Sequence, residues 1–166
     1  MARSSSFASK SKMDNFPDIP EDAFLEKGIF FNYADLPERN IDQEAIKAWL
    51  YTIAKSRQKE ISSLSYIFSS DDYLHDINVE FLNHDTLTDI ITFPLESEEG
   101  ISGEIYISLD RVEDNAKDFK TDFFNELRRV IAHGLLHLCG INDKTEQEAA
   151  EMRRAEEDAL ALWDRN

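Results

Sequence analysis

Two histidines, four residues apart, are the residues whose types and spacing most clearly suggest a reaction. His133 and His137 lie in the segment IAHGLLHLCGINDK, which has a helical pattern, and a spacing of four puts both imidazoles on one helix face. Gly140 follows where the chain can turn back in a left-handed conformation, and Asp143 comes three residues later. Two ring nitrogens and a carboxylate oxygen can bind zinc and leave a coordination position for water. The sequence therefore predicts a catalytic metal site formed by His133, His137 and Asp143.

The carboxylate in this ligand set has a consequence for the pH dependence of activity. A metal of this kind lowers the pKa of bound water and provides hydroxide near neutral pH. Because Asp143 donates more negative charge than an imidazole would, we expect a less acidic water than at a three-histidine site. Activity should then favour mildly alkaline pH.

Other interpretations of the same residues are open. The two histidines could be packed, hydrogen-bonded core residues, although Gly140 and Asp143 at turn-forming distances favour a metal. Zinc proteases share this spacing in H-E-x-x-H-x-x-G-x-x-H, but Gly134 stands where they carry the glutamate that acts as general base. Peptide hydrolysis is therefore the weaker interpretation. A two-histidine, one-carboxylate iron oxygenase needs no helical pair of ligands and is weaker still.

Predicted strands and helices alternate along the chain and must position these residues. The strands are β-rich runs at residues 29–33, 64–68, 88–94 and 103–110, and the second is expected to be half-buried. The runs at 88–94 and 103–110 are expected to pair across an acidic turn. Helices are predicted to begin at the capping residues Asn40, Ser70, Thr121 and Thr145. In the last helix the glutamates are expected to face solvent. This order lacks a strict βαβ rhythm and indicates an α+β domain.

Composition limits the classes of protein that the chain can represent. Of 166 residues 42% are hydrophobic, which excludes a purely disordered chain, and a net charge of −16 argues against nonspecific coating of DNA. The single cysteine, Cys139, is expected to pack as a small apolar residue off the ligand face. One cysteine and no apolar run of membrane-spanning length indicate a reducing, soluble compartment. Residues 1–13 are predicted to be a disordered leader and residues 14–166 a single domain.

At the histidine motif the chain resembles the YbeY family of single-strand-specific endoribonucleases, which mature ribosomal RNA. The family signature H-G-x-L-H-L-x-G, followed by a third ligand, is matched from His133 to Gly140. The likeness covers most of the chain, from about Ile29 to Leu160, and includes Asn78, TDIITFP, GEIYIS, Glu126, Leu127, Met152 and Glu156. It implies an α+β fold with a small mixed sheet, the motif helix packed beside it, and a cleft over the metal.

The chain departs from the family pattern in two places. The third ligand in the family is usually histidine and is Asp143 here, which is compatible with metal binding. The family also usually has an arginine before the T-D segment, where this chain has Leu82. His84 is a candidate to replace that arginine as a contact to phosphate. Alternatively, His84 and Asp85 only stabilise a turn.

The resemblance implies a cytoplasmic, metal-dependent endoribonuclease of ribosome biogenesis, with zinc as the expected metal. Its expected partners are precursor ribosomal RNA and the ribosome or small-subunit assembly factors, with no membrane. An acidic chain needs a local basic groove to hold RNA, and the candidates are Arg128 and Arg129, with Lys117 and Lys120, or else Lys55, Arg57 and Lys59. Two alternatives stay open: a zinc hydrolase of another bond, such as a peptide, and a ribosome-associated binding protein with a structural metal.

Overall fold

A four-stranded mixed sheet forms the centre of the computed structural model, which describes residues 26–165. The strands are β1 Gly28–Tyr33, β2 Ile61–Ser69, β3 Ile90–Leu95 and β4 Ile101–Ser108, and the helices are α1 Gln43–Ser56, α2 Asp71–Leu82, α3 Leu109–Asp118, α4 Phe123–Leu138 and α5 Glu146–Trp163. In the order β1–β2–β4–β3, the first three strands are parallel and β3 is antiparallel to β4. This confirms the predicted α+β class and the pairing across the acidic turn. The predicted leader, residues 1–13, lies outside the described residues.

Helices cover both faces of the sheet. On one face, Leu64, Tyr66 and Ile105 belong to the main core together with buried residues of α1, α4 and α5. On the other face, Ile67 and Tyr106 pack with the apolar side of α2. The prediction of a half-buried second strand is therefore wrong. β2 lies between two parallel partners with helices above and below, so its residues from Leu64 to Ser69 are buried on both sides.

Two of the predicted helix starts are displaced, and one helix was not predicted. α1 is capped by Asp42, whose carboxylate accepts from the Ala45 amide at 3.1 Å, and not by Asn40. α4 is capped by Asp122 and not by the preceding Thr121. The caps Ser70 and Thr145 are confirmed, the latter in a capping box. The run predicted as strand to residue 110 ends at Ser108, where α3 begins because the Ser108 hydroxyl accepts from an amide of its first turn.

The motif helix α4 is the element on which the others pack. It contacts β3 and β4 on one side and α1, α3 and α5 elsewhere. At Gly134, a Cβ would lie 2.9 Å from side-chain atoms of Ile105 and 3.0 Å from Ile90, so glycine lets the helix lie directly on the sheet. Burial raises the pKa of Tyr66 well above its ordinary value, and its protonated hydroxyl donates to the Ile131 carbonyl of α4 at 2.9 Å. The sheet thus fixes the height and position of the helix that carries the histidines.

Candidate metal centre

The end of α4 returns the chain toward the two histidines. The Gly140 amide donates to the His137 carbonyl at 2.9 Å and the Ile141 amide donates to the Leu136 carbonyl at 3.1 Å, which is a Schellman closure. Gly140 has a φ of +98°, in the region that favours glycine, and this confirms its predicted role in ending the helix. Because the chain turns back at Gly140, Asp143, three residues later, lies beside the helix face that carries the two histidines.

The three predicted ligands converge on one point. The Asp143 Oδ2 atom lies 3.5 Å from Nε2 of His133 and 3.5 Å from Nε2 of His137. Both histidines are buried, at 2% and 5% exposure, and their rings are nearly perpendicular, with centroids 4.5 Å apart. Ligands about 2.0–2.1 Å from a tetrahedral zinc ion are about 3.4 Å from one another, so the two carboxylate distances fit such an ion.

The donor atom of His133 also has the chemical form that a metal requires. Nε2 of His133 is buried and makes no hydrogen bond to the described residues. Nδ1 of the same ring lies 2.7 Å from Oε1 of Glu156, which is itself only 4% exposed. Because the carboxylate accepts a hydrogen bond from the Nδ1–H group, the lone pair of His133 is on Nε2, the atom that lies 3.5 Å from Asp143. The three residues could therefore bind a metal ion.

Sequence reasoning missed the role of Glu156. The expectation that the glutamates of the last helix face solvent is wrong at this position, because α5 turns Glu156 toward His133. Its spacing to Met152 and Ala159, both buried, is the signal that could have placed it on the inner face of the helix. Arg129 reaches the second oxygen of Glu156 at 3.3 Å and also lies 3.7 Å from Glu126.

Each of two clefts reaches one histidine of the pair. The first, of about 450 Å³, is the His133 cleft: it lies between α4 and α5 and reaches His133, Asp143 and Arg129. The second, of about 540 Å³, is the His137 cleft: it lies beside the β3–β4 turn and reaches His137 and Lys59. The ligands are therefore reached from two clefts, His133 and Asp143 from the first and His137 from the second.

The predicted substrate contacts are distributed unevenly around this centre. Arg129 lines the His133 cleft, whereas the neighbouring Arg128 does not and stacks over the ring of Trp163 at 4.8 Å. Lys59 lines the His137 cleft, and Arg57 lies 3.9 Å from Asp158. Of the basic residues proposed from sequence, Arg129 and Lys59 are therefore the ones that line the two clefts.

His84 lines neither cleft and is exposed in the loop between α2 and β3. That loop is held by Asn78. Its side-chain Nδ2 donates to the Thr86 carbonyl at 2.7 Å, and its main-chain carbonyl accepts from the His84 amide at 3.2 Å. Asp85 pairs with His75 at 2.8 Å. The motif residue Asn78 thus holds the loop in shape. Cys139 is half-buried against the main core, as predicted from its place off the ligand face.

At the position where zinc proteases carry their glutamate base, this chain packs closely against the sheet. Gly134, which corresponds to that glutamate, faces Ile90 and Ile105 of the sheet and points away from the ligands. A side chain there could not act on a substrate at Asp143. The fold and centre therefore define an α+β protein in which two histidines and one carboxylate could bind a metal, with glycine at the position of the protease's glutamate.

Comparison with known proteins identifies the family. The family model for endoribonuclease YbeY matches residues 32–164. The chain is 49% identical over 136 residues to endoribonuclease YbeY of Flavobacterium johnsoniae, covering 81% of this chain and 96% of that protein. It is 47% identical over 141 residues to endoribonuclease YbeY of Christiangramia forsetii, covering 84% and 97%. The solution structure of a Thermotoga maritima protein matches with a TM-score of 0.58 and 30% identity, over 83% of this chain and 93% of that one. The chain belongs to the YbeY family, which confirms the resemblance inferred from its sequence.

Proposed function

We propose that this chain is a zinc-dependent endoribonuclease that cleaves single-stranded precursor ribosomal RNA at the His133–His137–Asp143 centre. Membership of the YbeY family makes it an endoribonuclease of ribosomal RNA processing. The observation that carries the site assignment is the position of the Asp143 carboxylate oxygen, 3.5 Å from Nε2 of His133 and 3.5 Å from Nε2 of His137, beside two clefts.

Each residue at the centre has a defined part in this proposal. His133, His137 and Asp143 would hold the zinc ion, which supplies a water of lowered pKa and a Lewis acid for the phosphate. Glu156 keeps the proton of His133 on Nδ1 and so keeps Nε2 available. Arg129 holds Glu156 in place by charge pairing and also lines the cleft.

The RNA strand would run between the clefts, with Arg129 on one side and Lys59 on the other. Both are cations on the path of the backbone in an otherwise acidic protein. His84 and Arg128 are weaker members of the proposed contact set, since neither lines a cleft.

We further propose that residues 14–166 act as one domain in the cytoplasm, together with the ribosome or small-subunit assembly factors. Within the described residues, no helix is long and apolar enough to cross a membrane.

Cleavage of a precursor ribosomal RNA fragment tests the proposal. Wild type, His137→Ala and His75→Ala are prepared in parallel; His75 is a half-buried histidine that pairs with Asp85 outside both clefts. We expect cleavage by wild type and His75→Ala, none by His137→Ala, and protection of the same sequence once it is annealed into a duplex. Equal cleavage by all three proteins would show that the histidine centre is not the nuclease site.

Thermal unfolding of the same proteins separates a catalytic metal from a structural one. If the site is catalytic, His137→Ala loses cleavage while it stays folded at assay temperature. A ribosome-associated binding protein with a structural metal would instead lose its fold with the ligand.

A further inference from the structure

We propose that the His133 cleft is a nucleobase subsite, which takes one unstacked base of the RNA strand next to the phosphate at the metal centre. This inference rests on the proposed function and adds to it the part of the substrate that the cleft recognises. Three features support it: the chemistry of the walls, the fixed backbone of the aromatic residue that lines it, and continuity with the metal ligands.

The walls combine an aromatic ring, apolar side chains and an amide with the charged residues Glu126, Arg129, Arg153 and Glu156. Phe119 lines the cleft although 42% of its surface is exposed, and Ala149 and the buried Met152 of α5 line it as well. Asn125 of α4 adds an amide whose Nδ2 donates to Thr121 at 2.8 Å, which fixes the plane of the amide. A base has an apolar face that stacks on aromatic rings and a polar edge that pairs with amides, so this lining suits a base.

The backbone at Phe119 is fixed by the end of α3. Phe119 is the C-cap of that helix, and its amide donates to the Asn115 carbonyl at 2.9 Å. The next residue, Lys120, has a φ of +55°, and the Thr121 amide donates to the Ala116 carbonyl at 3.0 Å, which closes the helix in a Schellman turn. Because the backbone is already ordered, only the two side-chain torsions of Phe119 lose freedom when a base stacks on its ring.

The cleft opens directly onto the metal ligands. His133 and Asp143 form part of its wall, so an occupant lies against the atoms that would hold the ion. Its volume of about 450 Å³ is within the range of small-molecule sites. Charged residues line the His137 cleft as well, among them Lys59, Glu60 and Glu99, but no described phenylalanine, tyrosine or tryptophan does. The aromatic ring therefore makes the His133 cleft the one that suits a base.

A base subsite explains why the substrate would have to be single-stranded. A base in a duplex is stacked and paired, and it must be extruded before it can enter a side cleft. A single-stranded loop offers unstacked bases at small cost. On this view the preference for single strands comes from the His133 cleft, and the metal centre itself acts on any phosphate placed there.

Abasic substitution tests the subsite. Oligoribonucleotides with one cleavage site are made with the base removed at each position around it, and are cleaved by wild type, Phe119→Ala and Phe124→Ala. Phe124 is the matched control, since it is 47% exposed on α4 and does not line the cleft. We expect Phe119→Ala, but not Phe124→Ala, to lower kcat/KM for intact RNA about tenfold, in the range of one base–aromatic stack. At one position, removal of the base should slow cleavage by wild type by a similar factor. Phe119→Ala should cleave that abasic RNA no more slowly than it cleaves intact RNA.

Two further measurements make each outcome decisive. Phe119→Trp retains a stacking ring and should restore cleavage, which a role in folding alone would not predict. Affinity for the same oligonucleotides, measured on the His137→Ala background so that no RNA is cut, should show the same loss for the abasic position and for Phe119→Ala. If the abasic position and Phe119→Ala lowered affinity to the same extent, but wild type cleaved no RNA, the subsite would be supported and the proposed function contradicted. Cleavage that is indifferent to every abasic position and to Phe119→Ala would overturn the subsite.

Discussion

Asp143 is the ligand whose chemistry sets this centre apart from a three-histidine site. Its carboxylate lies 3.5 Å from both imidazoles and would bring a negative charge to a bound ion. We predict that Asp143→His keeps the metal and moves the acidic limb of the activity profile, where activity rises with pH, to lower pH by on the order of one unit, because a neutral ligand leaves the bound water more acidic. The measurement is kcat between about pH 6 and 9 for both proteins, which brackets a zinc-bound water. Superimposable profiles would mean that Asp143 does not touch the ion.

Glu156 would act on a bound metal through His133, whose Nδ1 it contacts at 2.7 Å. We predict that Glu156→Gln weakens metal binding about tenfold, at the lower end of the range for such partners, because a neutral amide accepts the Nδ1 proton less strongly. Competition with a chromophoric chelator measures the dissociation constant without any RNA. Glu157→Gln is the control: it makes the same change one residue along α5 at an exposed position. Equal affinities in the two variants would assign Glu156 a packing role only.

The grouping of His133, His137 and Asp143 could be predicted from the sequence, whereas the contact between Glu156 and His133 could not, and the reason is the range of the interactions. His133, His137, Gly140 and Asp143 lie within one helix and its terminal turn, where local geometry fixes their relative positions. Glu156 is 23 residues from His133, on another helix, and its contact depends on how α5 packs against α4. No local rule gives that packing.

Among the elements, α4 is the one whose height above the sheet decides whether the ligands meet. We predict that Gly134→Ala destabilises the fold by about 1 kcal/mol, because overpacking against Ile90 and Ile105 exceeds the gain in helix propensity. Chemical denaturation measures the free energy of unfolding. Ile105→Val removes one of the atoms at 2.9 Å, so Gly134→Ala should cost less in that background. A stabilised Gly134→Ala protein would show that the helix can lift freely.

Element boundaries show the same division between local and distant interactions. Thr145 and Glu148 form a reciprocal cap within one turn, and that cap was predicted. Asp122 and Thr121 are adjacent possible caps, and Thr121 instead accepts from the Asn125 side chain. α3 was missed because its first residues, Leu109 and Asp110, continue the alternation of apolar and polar residues at the end of β4 without a break. The burial of β2 on both faces depends on its neighbours in the sheet, which are distant in sequence.

Over the whole molecule, net charge and substrate are opposed. The formal charge of −16 repels RNA, so attraction must come from single cations at the clefts. Lys59 lines the His137 cleft beside a metal ligand, whereas Lys47 is paired with Glu44 on α1 and lines neither cleft. Position, and not total charge, should therefore govern affinity.

Two substitutions that change the net charge equally separate position from total charge. Lys59→Gln and Lys47→Gln each take the formal charge from −16 to −17. We predict that Lys59→Gln lowers the slope of log affinity against log salt for single-stranded RNA by about 0.7, the contribution of one phosphate contact, and that Lys47→Gln leaves it unchanged. The measurement is a salt titration of binding to one oligonucleotide on the uncleaving His137→Ala background. If both variants lowered the slope equally, RNA would be responding to overall charge, and the path through the His137 cleft would lose its support.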